Sequence, residues 1–154
     1  MSGAGVDIWS TSDQFRFVYE PLDGDGEIVA RVGSLVATDM WAKAGVMIRQ
    51  DLSADSPNVV AQVTAASGII FQRRDTRAGL STSIKGFAGG APQWIRVVRA
   101  GSVFSGYYST NGTTWTLMGS FTVTMPTRTY IGLSVTSHNP SLATTATFSN
   151  VSVR

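Results

Sequence analysis

The chain has 154 residues, a formal net charge of +2 and only 14% charged residues. Lys and Arg form no extended run, which excludes the electrostatic pattern of a nucleic-acid-binding protein. No stretch approaches the roughly 18 apolar residues of a membrane helix, and no cysteine is present, so we expect no membrane partner, disulfide or thiolate metal site.

Ser, Thr, Gly and Val dominate the composition of the whole chain, and its first half alternates apolar and polar residues with the period of a β-strand. Strands are predicted in DQFRFVYEPL and EIVARVGSL, with a hairpin turn between them at Asp23–Gly26. The segment WAKAGVMIRQD follows, with Ala44, Val46 and Ile48 on its apolar face. NVVAQVTA and GIIFQRRD then read as a hairpin joined at Ser67-Gly68.

The second half continues the same pattern after a Gly-rich loop, GFAGGAP. In WIRVVRAGSVFSGYYSTNGTTWTLMG, turns at Ala100-Gly101 and Asn111-Gly112 separate three strands. SFTVTM, YIGLSVTSH and TATFSNVSVR bring the total to about ten short, evenly spaced strands with no helical period. The sequence therefore predicts an all-β antiparallel sandwich.

Several segments, taken in order, carry a resemblance to a known family: DIWSTSDQFRFVYEPLDGDGEIVARV, WAKAGVMIR, the aromatic-rich stretch from Trp94 to Gly119, YIGLSVTSHN and ATFSNVSV. They resemble bacterial β-sandwich modules of the concanavalin A-like lectin/glucanase superfamily, over nearly the whole chain. The resemblance implies a two-sheet antiparallel jelly-roll with one concave sheet. Such modules lie at the ends of secreted polysaccharide-degrading or surface proteins, and most have no assigned activity.

The expected setting follows from that resemblance. We expect one domain over residues 1–154, in an extracellular or cell-surface bacterial protein. MSGAGVDIW is not a signal peptide, so an exported domain would have lost its signal or been cut from a longer secreted protein. Members of the family usually carry another strand just upstream of GAGVDIW. Without it, the closing strand ATFSNVSVR would have an unpaired edge, through which copies of the chain would self-associate.

Carboxylate positions argue against catalysis. Glycoside hydrolysis needs two carboxylates roughly 5–9 Å apart, and catalytic members of the superfamily present a Glu-x-Asp-x-Glu type pattern on one strand. Here Glu20 and Glu27 are the only glutamates and flank a turn, while the single His138 has no neighbouring Ser or Asp arrangement. We therefore expect no enzymatic activity, although a triad assembled from distant residues stays open.

The stretch DGDGE offers Asp23, Asp25 and Glu27 as oxygen ligands of the kind that calcium prefers. The full spacing of a calcium loop is lacking. We interpret the stretch as a hairpin turn in which Gly supplies a positive φ and Asp caps the backbone. No cofactor is expected, with calcium at Asp23 and Asp25 as the weak alternative.

The aromatic residues divide between framework and surface. Trp94 is expected to close one end of the core, and Trp115 is expected to pack over a hairpin. Trp9 and Trp41 have no evident structural role. The phenylalanines assigned to the core are Phe15, Phe17, Phe71, Phe104, Phe121 and Phe148.

Long polar side chains remain on the faces opposite the apolar ones. Planar groups such as guanidinium suit hydroxyl-rich or acidic ligands, and Trp and Tyr stack on sugar rings. We predict a lectin-like, non-catalytic accessory module that binds a polysaccharide on its concave sheet. The alternative is a structural, adhesion or self-assembly module with no small ligand, because an antiparallel sheet often has one solvated face. The predicted ligand-binding residues are Arg31, Lys43, Arg49, Gln72, Arg74, Tyr107 and Trp41.

Overall fold

All regular secondary structure in the chain is β-strand, and the computed structural model describes residues 1–154. The structure has no helix that is long and hydrophobic enough to cross a lipid bilayer. The strands are β1 (Ser2–Gly5), β2 (Ile8–Trp9), β3 (Ser12–Asp13), β4 (Arg16–Asp23), β5 (Gly26–Leu35), β6 (Lys43–Arg49), β7 (Asn58–Thr64), β8 (Ile69–Arg74), β9 (Thr82–Phe87), β10 (Gln93–Ala100), β11 (Val103–Ser109), β12 (Thr116–Thr122), β13 (Arg128–Thr136) and β14 (Asn139–Val153).

Twelve of these strands form two six-stranded sheets, and β2 pairs only with β3. Sheet I has the order β1-β14-β5-β10-β11-β12, and sheet II has the order β4-β13-β6-β7-β8-β9. Every pairing is antiparallel. The fold is the predicted all-β, two-sheet antiparallel jelly-roll sandwich.

The main hydrophobic core lies between the two sheets and takes alternate residues from each strand. In β6, Ala44, Val46 and Ile48 face this core, as the alternation predicts. Lys43 and Arg49 point to the other face of sheet II, yet they are only 2% and 1% exposed. A sheet face that holds buried charged residues must be covered by another part of the chain.

That cover is the N-terminal strap, residues 6–15, which contains β2 and β3 and lies on the outer face of sheet II. Ile8 of the strap is fully buried and packs against Met47 and Val60, which point outward from β6 and β7. The side-chain amide of Gln72 donates a 2.7 Å hydrogen bond to the Ile8 carbonyl. The strap therefore adds a small second core outside the sandwich.

Two strand connections differ from the prediction. The turn at Asp23–Gly26 was expected to close a hairpin, but β4 pairs with β13 in sheet II and β5 pairs with β10 and β14 in sheet I. The turn therefore connects one sheet to the other. The sequence could not show this, because turn residues indicate where the chain reverses but not which strands pair. TTWTLMG and SFTVTM, predicted as two strands, contribute to the single strand β12.

One edge of the sandwich holds a strand that the sequence did not predict. β9, for which no element was predicted, pairs with β8 along the edge of sheet II. β1 pairs with the first half of β14, at Ser2↔Thr145 and Gly3↔Thr144, just before the predicted closing strand ATFSNVSVR. From Thr147 onward, β14 pairs with β5 alone.

Four aromatic residues lie outside the main core to which they were assigned. Phe15 and Phe17 pack against the second core under the strap. Trp94 and Trp115 lie on the outer face of sheet I, where the Trp94 indole packs against Gly112 and Trp115 lies near the Arg96 guanidinium. Alternation assigns residues to two faces, but it does not say which face is inside when both are partly covered.

Gly106 provides a test of the contact between the two sheets. A Cβ at this position would lie 2.5 Å from the Phe71 ring, which itself stacks on Phe121 in the core. We expect Gly106→Ala to lower the free energy of unfolding by about 1–3 kcal/mol through overpacking. Urea denaturation measures this change. Gly90→Ala is the matched control, since its Cβ would meet nothing within 4 Å; equal losses in both variants would contradict the packing described.

Candidate functional site

Two hollows flank the strap on the outer face of sheet II. One of them, here called the Trp pocket, has a volume of about 270 Å³ and lies between the strap and strands β6, β8 and β9. It is lined by Asp7 and Trp9 from the strap, Trp41 and Lys43 at the start of β6, Ile70 and Gln72 from β8, Ser83 and Lys85 from β9, and His138 from the β13–β14 turn.

Strand register brings the floor of the Trp pocket together. Gln72 of β8 lies directly opposite Ser83 of β9, so their side chains occupy the same face of the sheet. Lys85 lies two residues beyond Ser83 and therefore shares that face. Between them, Ile84 points the other way and packs against the main core. The alternation of β9 thus presents two polar residues to the pocket.

Two indole rings and two ammonium groups form the upper part of the Trp pocket. The Lys43 Nζ lies 6.0 Å from the Trp9 ring centroid and 5.8 Å from that of Trp41. The Lys85 Nζ lies 5.6 Å from each of the same two centroids. These distances are within the range of cation–π attraction. The rings therefore hold both lysine side chains over the pocket.

Of the two lysines in the Trp pocket, only Lys43 has an ion-pair partner. The Lys43 ammonium pairs with Asp7 Oδ1, and Asp7 Oδ2 lies 3.4 Å from His138 Nε2. The other ring nitrogen of His138 lies 3.1 Å from Asp39. Burial lowers the pKa of Lys43, an effect that the Asp7 carboxylate opposes. Lys85 takes part in none of these pairs and is exposed.

Two buried polar atoms at the floor have no hydrogen-bond partner in the protein. They are Gln72 Oε1 and Ser83 Oγ. Gln72 is only 1% exposed, and its amide nitrogen is already fixed on the Ile8 carbonyl, which holds the side chain in place. An unsatisfied buried polar group costs about 1–3 kcal/mol. The floor therefore presents one fixed acceptor and one hydroxyl suited to a polar ligand.

The strap is fixed by a buried ion pair beside the pocket. Arg74 binds Asp13 in a bidentate manner, with Nη1–Oδ2 and Nη2–Oδ1 distances of 2.8 and 2.7 Å. Arg74 also donates to the carbonyls of Trp9 and Ser10, and Arg49 Nη1 lies 3.6 Å from Asp13 Oδ2. Burial raises the pKa of Asp13, an effect that Arg74 and Arg49 oppose. The network positions the strap segment that carries Asp7 and Trp9.

The structure divides the seven predicted ligand-binding residues into three groups. Trp41, Lys43 and Gln72 come together in the Trp pocket. Arg49 and Arg74 share the same sheet face but hold the strap. Arg31 and Tyr107 belong to sheet I, where Tyr107 lies 5.3 Å from the Arg96 guanidinium. The seven residues therefore do not form one surface.

Six residues of the pocket lining were not predicted to bind a ligand: Asp7, Trp9, Ile70, Ser83, Lys85 and His138. Asp7 precedes the first predicted strand, and no element was predicted over Ser83 and Lys85. The alternation of Ser83 and Lys85 around Ile84 is the signal that would have identified β9. Trp9 was noted only as an unexplained tryptophan, and its pairing with Trp41 depends on the path of the strap.

The turn proposed as a weak calcium site has other contacts. Asp25 Oδ1 accepts a 2.6 Å hydrogen bond from the Gly101 amide, and Asp23 lies 3.5 Å from Arg128. Glu27 pairs with Arg96. The structure contains no group of three or more His, Cys, Asp or Glu residues that could hold a metal ion.

Known proteins resemble this chain in structure but not in sequence. No protein-family model matches it, and no curated protein matches it. A functionally unknown protein from Saccharomyces cerevisiae has a TM-score of 0.76 at 18% identity, covering 97% of this chain and 82% of that one. The carbohydrate-binding module CBM66 from Bacillus subtilis has a TM-score of 0.63 at 18% identity, covering 99% and 91%.

The same fold also occurs within a larger protein. A mutant of the GH43 protein BlXynB from Bacillus licheniformis has a TM-score of 0.62 at 14% identity, and the match covers 95% of this chain but 30% of that one. At such identities the similarity shows the fold alone. These structures share a concanavalin-like β-sandwich with this chain, and the fold is compatible with more than one function.

Asp13 tests the role of the buried ion pair. Asp13→Asn leaves Arg74 and Arg49 buried without a counter-charge, so we expect the free energy of unfolding to fall by about 3–5 kcal/mol. Thermal and urea denaturation measure the loss. Asp75→Asn is the control, because Asp75 pairs with Arg73 at the surface with its side chain 48% exposed. Similar stability of the two variants would show that the Asp13 network does not hold the strap.

Proposed function

We propose that the chain is a non-catalytic carbohydrate-binding module whose ligand occupies the Trp pocket. The observation that carries the proposal is the combination of two indole rings, Trp9 and Trp41, with two buried polar atoms that lack partners, on Gln72 and Ser83. Sugars need both kinds of contact, since their rings present C–H faces for stacking and hydroxyls for hydrogen bonds.

The size of the Trp pocket restricts the ligand. Its volume of about 270 Å³ is near the lower end of small-molecule pockets, which run from about 300 to 1,000 Å³. A pocket of this size suits one or two sugar rings, at a chain end or in a short side branch. The module would therefore hold a polysaccharide at one point instead of along an extended groove.

The pocket chemistry also supports a non-catalytic function. Asp7 is the only carboxylate in the lining, and it is paired with Lys43. Hydrolysis of a glycosidic bond needs two carboxylates placed across it. The structural similarity to the carbohydrate-binding module CBM66, over 99% of this chain, points in the same direction.

The proposal includes a biological setting. The resemblance of five sequence segments to bacterial β-sandwich modules supports an accessory domain of a secreted or cell-surface bacterial protein. In such a protein, the domain would keep its partner on or near the polysaccharide.

The alternative function, self-assembly through the closing strand, has one supporting observation. Residues 147–153 of β14 have a partner strand on one side only, and Val151 is 46% exposed. Unpaired strand edges invite strand addition. For this function, light scattering at high protein concentration would give a mass above that of one chain, and Val151→Lys would lower it; a single-chain mass throughout would exclude it.

Trp41→Ala tests the carbohydrate-binding proposal. Losing one stacking wall is expected to weaken binding at least about tenfold, as for a central aromatic contact. Affinity electrophoresis and calorimetry with xylan, mixed-linkage β-glucan, arabinan, polygalacturonate and alginate measure this effect. Trp115→Ala is the control, since it removes an indole from the outer face of sheet I. Binding of none of these polysaccharides, or equal binding by both variants, would overturn the proposal.

A further inference from the structure

We propose that the sugar bound in the Trp pocket is acidic and that its carboxylate binds Lys85. This inference rests on the proposed function and narrows it to one class of ligand, uronic acid sugars.

The pocket carries an excess positive charge. Its lining holds one carboxylate, Asp7, and two ammonium groups, Lys43 and Lys85. Asp7 is already paired with the Lys43 ammonium through Oδ1, and its Oδ2 lies 3.4 Å from His138 Nε2. One positive charge is left without a partner. A ligand that brings one carboxylate would neutralise it.

Lys85 is positioned for such a ligand. Lys43 and Lys85 are the only lysines in the chain, and both lie over the same two indole rings. Lys43 is only 2% exposed and directed at Asp7, whereas Lys85 is exposed at the mouth of the pocket. The ammonium of Lys85 can therefore receive an anion without breaking an existing ion pair.

The floor of the pocket complements an acidic sugar. Gln72 Oε1 can only accept a hydrogen bond, so it matches a ring hydroxyl of the ligand. Ser83 Oγ can donate, and it lies on the same face of β9 as Lys85. A ligand carboxylate between Ser83 and Lys85 would accept a hydrogen bond from each of them. A hydroxyl of the same sugar ring would donate a hydrogen bond to Gln72 Oε1. The carboxylate would then have two charge-assisted hydrogen bonds.

Oligomers of galacturonate, glucuronate and mannuronate, each compared with its methyl ester, provide the test. Esterification keeps the ring and its hydroxyls and removes the charge. By calorimetry, at least one acid is expected to bind about tenfold more tightly than its ester, the effect of a hydrogen bond to a charged group. Lys85→Met should remove this difference, so that the acid and its ester bind the variant with equal affinity.

Arg128→Met is the matched control. It also removes one exposed positive charge, but Arg128 pairs with Asp23 and is not part of the pocket lining. It should keep the preference for the acid. If every ester binds as tightly as its acid, or if Lys85→Met keeps the difference, the ligand is not recognised by its charge and the carbohydrate proposal alone survives. If neither the uronates, their esters nor the neutral polysaccharides bind, both proposals fail.

Discussion

The bidentate pair between Arg74 and Asp13 is the interaction on which the outer face of sheet II depends. It joins residues 61 positions apart in the sequence, and both side chains are fully buried. Burying such a pair carries a desolvation penalty, so its main effect is on specificity: it fixes where the strap crosses the sheet. Removing the strap would take away the Ile8 side chain that packs against Met47 and Val60 on this face.

The Trp pocket is a consequence of that crossing. Sheet II alone would present a row of polar and apolar side chains on one open face. With the strap in place, Trp9 and Asp7 of the strap join Trp41 and Lys85 around one pocket. The pocket is therefore built from segments that are far apart in the sequence and that only the tertiary structure brings together.

Sequence reasoning recovered the sandwich because strand alternation is a local property. It placed Ala44, Val46 and Ile48 in the core correctly, and it selected Trp41, Lys43 and Gln72 on the opposite face. It did not find β9, because Thr82–Phe87 contains few apolar residues and includes a glycine. Nor could it find the partner of Arg74, since an arginine that binds a ligand and one that binds a distant aspartate look alike in sequence.

The outer face of sheet I shows why aromatic density alone does not identify a binding site. Trp94, Trp115, Tyr107 and Arg96 lie there, as rich a set as any in the chain. Yet Arg96 pairs with Glu27, and its guanidinium lies near the rings of Tyr107 and Trp115. Its charge is therefore neutralised within the protein. In the Trp pocket, by contrast, Lys85 lies near two indole rings but pairs with no carboxylate, and Gln72 Oε1 and Ser83 Oγ have no hydrogen-bond partner in the protein. Burying polar groups without hydrogen-bond partners lowers the stability of the unliganded protein. A ligand that forms hydrogen bonds with these groups gives a physical reason for their presence in the pocket.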